Sequence, residues 1–216
     1  MGYQHIDNLY KNQNILMFRE CYAMEKIHGT SAHVSWNDGK VGFFAGGEKH
    51  ENFIKIFDAD KLTELFTALG HQKLIVYGEA YGGKCQGMSA TYGKELRFVA
   101  FDVLHNERWY DVPTAEAICT ALGIEFVHYV RVATDIPILD VERDKPSTQA
   151  QRNGIAEPCI AEGVVLRPIY EFTDHRGNRI ISKHKRAEFR ERKSIPNVDP
   201  TMHDLMEKSD EIAEEW

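Results

Sequence analysis

Two features that often define a class of protein are missing from this sequence. No run approaches the roughly 20 apolar residues that a membrane-spanning helix requires. The first residues, MGYQHIDNLYKNQNILMF, also lack the basic and then apolar layout of a signal peptide. We therefore expect a cytoplasmic protein that has no membrane partner.

Cysteine is scarce and scattered. The four cysteines, Cys21, Cys85, Cys119 and Cys159, form no CxxC pair. Zinc sites and disulfide frameworks in small proteins usually show paired or regularly spaced cysteines. We therefore predict four reduced thiols.

Charge is unevenly distributed along the chain. The net charge of −7 argues against a general nucleic-acid binder. Between Arg167 and Lys193, however, nine Lys/Arg stand against four acidic residues, whereas seven acidic residues follow from Asp199 onward. A basic segment of this kind can hold phosphate groups locally, although two solvated faces would give the same pattern.

Short β-branched and aromatic segments dominate the chain and predict strands. These segments are SAHVSW, KVGFFAG, KLIVYGEAYG, ELRFVAFDVLH, IEFVHYVRVA, CIAEGVVLRP and NRIISKHK. Asp38-Gly39 predicts a hairpin turn between the first two. Helical patterns cover 62–69, the segment VPTAEAICTALG and an acidic C-terminal helix over 199–216. We expect an α+β fold with mainly antiparallel sheets and one domain over residues 1–216.

Charged residues inside apolar segments are the candidates for chemistry. Lys26 follows an apolar approach and would be a nucleophile only as a neutral amine, although most such lysines simply extend to water. Lys183 and Lys185 alternate along a predicted strand, so they share a face and repel unless an anion lies near. A triphosphate would supply that anion, whereas a solvated edge strand is the simpler interpretation.

Two glutamates and two apolar residues add to this set. Glu79 and Glu162 each lie beside a glycine in an apolar run, where a carboxylate requires a cation, a metal or hydroxyl donors. Structural salt bridges would satisfy them equally well. Phe101 and Val165 suit the two sides of a flat base, although core packing is the usual role of such residues.

The order of these residues along the chain resembles the covalent nucleotidyltransferase superfamily. The motifs are KxxGT at Lys26, GE at Glu79, FxAFD at 98–102, EGVV at 162–165 and KxK at Lys183 and Lys185. EKIHGT, VYGEAYGG and EGVVLRP are most similar to the RNA ligase 2 type, and the resemblance covers about residues 20–190. DNA ligases and capping enzymes of the superfamily read KxDGxR, whereas His28 and Ser31 replace the Asp and Arg here.

The resemblance implies a ligase adenylation fold, with two mainly antiparallel sheets, flanking helices and a nucleotide cleft. It implies an ATP-dependent RNA ligase that forms a lysyl-AMP intermediate and uses Mg²⁺ or Mn²⁺. The implied catalytic residues are Lys26, Lys183 and Lys185, the last two on the α-phosphate. The implied nucleotide-binding residues are Glu25, Ile27, His28, Glu79, Phe101, Glu162 and Val165, with Glu162 also the metal residue. For Glu25, an adenine contact and a structural role are both open.

The resemblance implies RNA with 5′-phosphate and 3′-hydroxyl ends as the partner, with a nicked duplex as the expected substrate. A phage-encoded protein would act in the host cytoplasm. The family's arginine motif is missing from VGFFAGGEKHENF, where Lys49 is the remaining cation. No separate C-terminal RNA-binding domain is expected, so an accessory protein or subunit is one expectation and a self-sufficient ligase the other. The alternatives are a minimal ATP-dependent DNA ligase, a GTP-using capping-type transferase and an inactive nucleic-acid-binding relic.

Overall fold

The computed structural model describes residues 2–189, and the acidic helix predicted for 199–216 lies outside them. The strands are β1 (Glu20–Glu25), β2 (Thr30–Asn37), β3 (Lys40–Phe44), β4 (Lys73–Gly82), β5 (Leu96–His105), β6 (Arg108–Trp109), β7 (Tyr129–Ala133), β8 (Gly163–Pro168) and β9 (Ser182–Lys185). The α-helices are α1 (His50–Ile54), α2 (Ala59–Leu69), α3 (Ser89–Tyr92), α4 (Val112–Ala121), α5 (Ile136–Arg143) and α6 (Thr148–Arg152). Short 3₁₀ helices cover Asn14–Met17, Cys85–Gly87 and Ala187–Phe189.

The strands form two antiparallel sheets. One has the order β7-β1-β8-β9 and the other β3-β2-β4-β5-β6, and neighbouring strands in each run antiparallel. Asp38 and Gly39 join β2 to β3 with positive φ angles of 45° and 85°, as a two-residue hairpin turn requires. The predicted α+β class, antiparallel sheets and hairpin are confirmed.

Local sequence signals explain where the two predicted helices within the described residues begin and end. The Asp58 side chain accepts a hydrogen bond from the Lys61 N–H at the start of α2, and Gly70 ends that helix in the left-handed region. Asp111 caps α4 in the same way, by accepting from the Thr114 N–H. Both helices lie where the sequence predicts them.

Three strands begin four or five residues later than predicted. β7 begins at Tyr129, β8 at Gly163 and β9 at Ser182, so the first half of each predicted segment is irregular. Before β7, the chain passes between the sheets, and Phe126 makes a single bridge to Ala100. A segment of extended backbone that changes its pairing partner cannot continue one ladder of interstrand hydrogen bonds. Apolar composition therefore predicts strands that are longer than the observed ones.

Both faces of the four-stranded sheet are buried. Along β1, Tyr22 and Met24 belong to the main core, which the five-stranded sheet and α1, α2 and α4 share. Cys21 and Ala23 point the other way, into a second core that includes Leu9, Ile15 and Leu139. All four cysteines are free, as predicted.

Candidate active site

A cleft of about 410 Å³ lies between the two sheets, and this volume is within the range of small-molecule sites. It brings together most of the residues that the sequence nominates. The predicted residues that line it are Glu25, Lys26, Ile27, Glu79, Phe101, Val165 and Lys183. His28, Glu162 and Lys185 do not line its wall, but Glu162 pairs with Lys26 at its rim, and His28 and Lys185 contact Glu162 in turn.

The loop after β1 carries Lys26 and is fixed by hydrogen bonds. The Lys26 N–H donates to the Gly163 carbonyl at 2.9 Å, and the Gly29 N–H donates to Glu79 Oε1 at 3.1 Å. A Cβ atom on Gly29 would lie 2.3 Å from the carbonyl oxygen of Ala80. Only glycine therefore lets the loop lie this close to β4, which explains the glycine of the KIHGT motif.

Glu162 is the centre of charge at the rim of the cleft. Its Oε2 atom lies 3.0 Å from Lys26 Nζ and 3.1 Å from His28 Nδ1, and its Oε1 atom lies 2.9 Å from Lys185 Nζ. Burial would raise the pKa of Glu162, but the His28 hydrogen bond and the charges of Lys26 and Lys185 outweigh it and lower the pKa to about 2. Glu162 is therefore ionised at neutral pH.

The two lysines of β9 have different surroundings. Lys183 is buried and lines the cleft, whereas Lys185 pairs with Glu162. Between them, His184 points to the opposite side and contacts Asp140. The predicted alternation is confirmed, but the anion beside Lys185 is a carboxylate of the protein itself.

Glu79 faces the cleft from β4 and has a strongly altered acidity. Burial raises its pKa to about 7, with the nearby Lys26 opposing and Glu162 reinforcing that shift. The residue pairs with Ser31 across the sheet, and the Ser31 hydroxyl also faces the cleft with no hydrogen-bond partner among the described residues. Two oxygen-bearing side chains thus line the same part of the wall.

Glu25 is held by α6. Its carboxylate accepts hydrogen bonds from Ser147 Oγ at 2.5 Å and from the Gln149 N–H at 3.1 Å. Burial raises its pKa, and these hydrogen bonds oppose the rise. The contacts give Glu25 a structural role at the helix N-terminus, and its contact with a nucleotide stays a prediction.

A β-bulge places Phe101 in the cleft. Tyr77 pairs with Asp102 and Gly78 pairs with Ala100, so Phe101 is the extra residue on β5. A bulge of this kind redirects a side chain and interrupts the ladder. Val165 on β8 lines the same cleft from the other sheet, as expected for two sides of one site.

Sequence reasoning missed a buried ionic cluster at the cleft, whose lining includes Arg167. Asp102 pairs with Arg167 at 2.9 Å and with Arg179 at 2.7 Å, and both arginines also contact Glu171. Asp102 is fully buried, and Arg167 connects the two sheets. The signal was available, because FVAFD and VVLRP each place a charge in an apolar run.

A family model described as RNA ligase matches residues 19–185. The chain belongs to the RNA ligase family. The family region spans all of β1 to β9 and contains each of the residues that converge on Glu162. A search of curated proteins gives no match.

Solved RNA ligases share this family member's fold. An RNA ligase of Naegleria gruberi with pyrophosphate superposes with a TM-score of 0.68 at 15% identity, covering 88% of this chain and 57% of the ligase. A variant with AMP and Mn gives 0.68 at 14% identity, and one with ATP and Mn gives 0.65 at 14%, with the same coverage. The chain therefore spans 57% of the length of these ligases. The likeness establishes the two-sheet ligase fold for this chain.

Three further observations bear on the predictions for this RNA ligase family member. Lys49 is exposed at the start of α1 and does not line the cleft, and its contact with a phosphate stays a prediction. Among residues 2–189, no group of three or more His, Cys, Asp or Glu side chains could enclose a metal. No helix in the same range is long and apolar enough to span a membrane.

Proposed function

We propose that this chain is an ATP-dependent RNA ligase that joins a 5′-phosphate end to a 3′-hydroxyl end through a lysyl-AMP intermediate. One observation carries the proposal: Lys26, His28 and Lys185 converge on Glu162 at the rim of a cleft of nucleotide size. Family membership supports it. The Naegleria gruberi ligase, solved with ATP, AMP, pyrophosphate and Mn, supports the same choice of nucleotide.

In the first step, the Lys26 ammonium loses a proton to solvent, and its neutral amine attacks the α-phosphorus of ATP. The N–P bond forms as the bond to pyrophosphate breaks. Glu162, with its pKa of about 2, is too weak a base to take that proton at neutral pH. We assign it instead to holding the Lys26 side chain at the rim, in line for attack, and to orienting His28 and Lys185.

Lys183 is assigned to the α-phosphate. It is buried in the wall of the cleft, where a fixed positive charge stabilises an anion more strongly than in bulk water. Lys185 is assigned to the same phosphate, which requires it to exchange Glu162 for a phosphate oxygen. Displacement at phosphorus depends mainly on positioning and charge neutralisation, and these two residues supply both.

The nucleoside is assigned to the deeper part of the cleft. Phe101 and Val165 are placed on the two faces of adenine, with Ile27 and Glu25 near its edge. Glu79 is assigned to accept hydrogen bonds from the ribose hydroxyls. This assignment is consistent with a carboxyl group whose only hydrogen bond within the described residues is from the Gly29 N–H.

The later steps use the same amine as a leaving group. An oxygen of the RNA 5′-phosphate attacks the AMP phosphorus, the P–N bond breaks, and Lys26 recovers its proton. The 3′-hydroxyl of the second end then attacks the 5′-phosphate and releases AMP. No reductant, oxidant or further substrate is needed, so ATP and two RNA ends balance the reaction.

Mg²⁺ or Mn²⁺ is part of the proposal. Glu25 and Glu79 line the cleft as separate carboxylates, and Glu162 contacts Lys26 beside it. Glu162 is our assignment for the carboxylate that would hold the cation, because Lys185 would release its Oε1 atom on moving to the phosphate. When bound, the cation would neutralise charge on the phosphates.

We assign a nicked duplex as the RNA substrate. Because the chain spans 57% of the Naegleria gruberi ligases, an accessory subunit or further domain for RNA contacts belongs to the same proposal. His28 and Ser31, in place of the Asp and Arg of KxDGxR, favour RNA over DNA. We further propose that the protein acts in the cytoplasm.

The test is a sealing assay on matched nicks with ATP and Mg²⁺. The four duplexes carry RNA or DNA on each side of the nick, because the 2′-hydroxyl is the group that separates the two substrates. Sealing should require an RNA 3′-hydroxyl end, and Lys26→Arg should abolish it while keeping the charge. Sealing of only the all-DNA nick, or neither sealing nor a covalent AMP adduct on folded wild-type protein, would contradict the proposal.

A further inference from the structure

The first residues of the described chain run along one wall of the cleft. We call residues 3–9 the N-terminal strap. Its inner part, Tyr3 to Ile6, lines the cleft beside Phe101 and Lys183. None of the ligase motifs includes this segment, and it lies outside the family match over 19–185.

The outer end of the strap fixes the backbone of Lys183. The Lys183 N–H donates to the Asp7 carbonyl at 2.9 Å, and the Leu9 N–H donates to the Lys183 carbonyl at 2.9 Å. On its other side, Lys183 pairs with Val165 of β8. Because β9 is an edge strand of its sheet, the strap supplies the pairing that the sheet does not.

Buried anchors hold this end in place. The side chain of Leu9 is 4% exposed and packs in the second core with Ile15. Ser182 Oγ donates to the carbonyl of Asn12 at 2.9 Å. The chain that follows the strap is therefore also tied to β9, next to the contact with Lys183.

The inner end of the strap is fixed beside Phe101. The Tyr3 hydroxyl donates to Asp102 Oδ2 at 2.6 Å and accepts from Arg179 at 3.0 Å. The Tyr3 ring meets the Phe101 ring edge to face, with the centroids 4.9 Å apart. Tyr3 thus connects the buried ionic cluster to the ring that we assign to adenine.

We propose that the N-terminal strap positions the nucleotide, by fixing the ring of Phe101 at one end and Lys183 at the other. This inference rests on the proposed function, in which these two residues contact the base and the α-phosphate. One continuous segment then sets the relative placement of the groups that bind the two ends of AMP. Tyr3 is a positioning residue, because it acts through Phe101.

The test compares Tyr3→Phe with Tyr10→Phe. The first removes the hydroxyl that anchors the strap and keeps the ring. The second removes a hydroxyl from an exposed side chain, 67% accessible, whose hydroxyl contacts only Asn8 among the described residues. Adduct formation is measured against ATP concentration, together with the melting temperature.

We expect Tyr3→Phe to raise KM for ATP about tenfold, as for the loss of one hydrogen bond to a charged group, while adduct formation at saturating ATP stays close to wild type. Tyr10→Phe should match the wild type in both. A role in stability alone would lower the melting temperature of Tyr3→Phe and leave its KM equal to that of Tyr10→Phe, which would overturn the inference. If the wild type forms no adduct, the proposed function fails instead.

Hydrogen exchange on the wild type provides a second test that needs no variant. An ATP analogue with a methylene between the α- and β-phosphates binds without transfer. Peptides that cover the strap and Lys183 should exchange severalfold more slowly with this analogue, whereas α2, remote from the cleft, should not change. Protection of Phe101 and Val165 without protection of the strap would overturn the inference.

Discussion

Lys26 Nζ and Glu162 Oε2 lie 3.0 Å apart, although 136 residues separate them in the sequence. The nucleophile assigned here is therefore held by a carboxylate that is almost fully buried. Glu162 also contacts His28 and Lys185, so two lysines and a histidine share one carboxylate. Removing one partner of such a group leaves the others uncompensated, which makes Glu162 a sensitive position for both stability and activity.

Glu162→Gln should destabilise the protein in a pH-dependent way. The pKa of Glu162 is about 2 in the folded protein against an ordinary value of 4.5, so its stabilisation is present above pH 4.5 and is lost as the pH falls through about 2. The shift from 4.5 to about 2 corresponds to roughly 3–4 kcal/mol at pH 7. Urea unfolding at pH 7, 5 and 3 should show the difference from wild type shrinking with decreasing pH. A constant difference would contradict this account of the ion pairs.

Glu79→Gln should show the opposite pH dependence. Burial raises the pKa of Glu79 to about 7, so the folded protein keeps a proton that the unfolded chain releases above pH 4.5. That stabilisation is complete below pH 4.5 and is lost as the pH rises through about 7. Glutamine can still accept the Gly29 N–H. The melting temperatures of the two proteins should therefore be similar at pH 5, and the variant should melt higher at pH 8.

Equal melting temperatures of the wild type and Glu79→Gln at pH 8 would contradict this prediction, because they would show that the Glu79 carboxylate is well solvated. In the adduct assay the same variant should weaken ATP use, because the amide nitrogen cannot accept from a ribose hydroxyl. If Glu79→Gln is more stable and less active than the wild type, the Glu79 carboxylate is retained for its function at a cost in stability.

Gly29→Ala should strongly reduce the yield of the AMP adduct in protein that is still folded. A Cβ atom there meets the Ala80 carbonyl at 2.3 Å, so the loop that carries Lys26 must move away from β4. Gly70→Ala is the matched control, because it strains a left-handed residue with φ of 71° in open space at the end of α2. That change should cost about 1 kcal/mol and leave adduct formation unchanged. Equal adduct yields in the two variants would contradict the role given to Gly29.

Asp102→Ala should be among the most destabilising single changes. It leaves Arg167 and Arg179 buried with Glu171 as their remaining carboxylate, and breaking a buried ion pair costs about 3–5 kcal/mol. Glu95→Ala breaks the exposed pair with Arg97 and should cost no more than about 1 kcal/mol. Chemical denaturation compares the two. A small effect at Asp102 would mean that the cluster does not connect the sheets energetically.

The strand-rich α+β fold and most of the cleft could be predicted from the sequence, because alternation and turn residues are local signals. Lys26, Glu79, Phe101 and Lys183 all line one cleft, as their motifs imply. The meeting of Lys185 with Glu162 could not be predicted, since it depends on how β9 pairs with β8 and on where β8 begins.

The role of the N-terminal strap was also beyond sequence reasoning. Tyr3 has no neighbouring motif, and its partners Asp102 and Arg179 lie about a hundred or more residues away. The bulge at Phe101 likewise arises from the mismatch of β4 and β5 rather than from a local pattern. The contacts of Tyr3 and the bulge at Phe101 depend on pairing between residues far apart in the chain. Such pairing cannot be predicted from the local patterns of a single sequence.

The central claim is that Lys26 carries AMP, and peptide mass spectrometry after reaction with ATP and Mg²⁺ tests it most directly. The wild type should gain the mass of one AMP on the peptide that contains Lys26, and this gain should survive denaturation. Lys26→Ala should show no adduct, whereas Lys11→Ala, a change at a lysine outside the cleft lining, should label as the wild type does. An adduct on any other residue, or none on folded wild-type protein, would contradict the account.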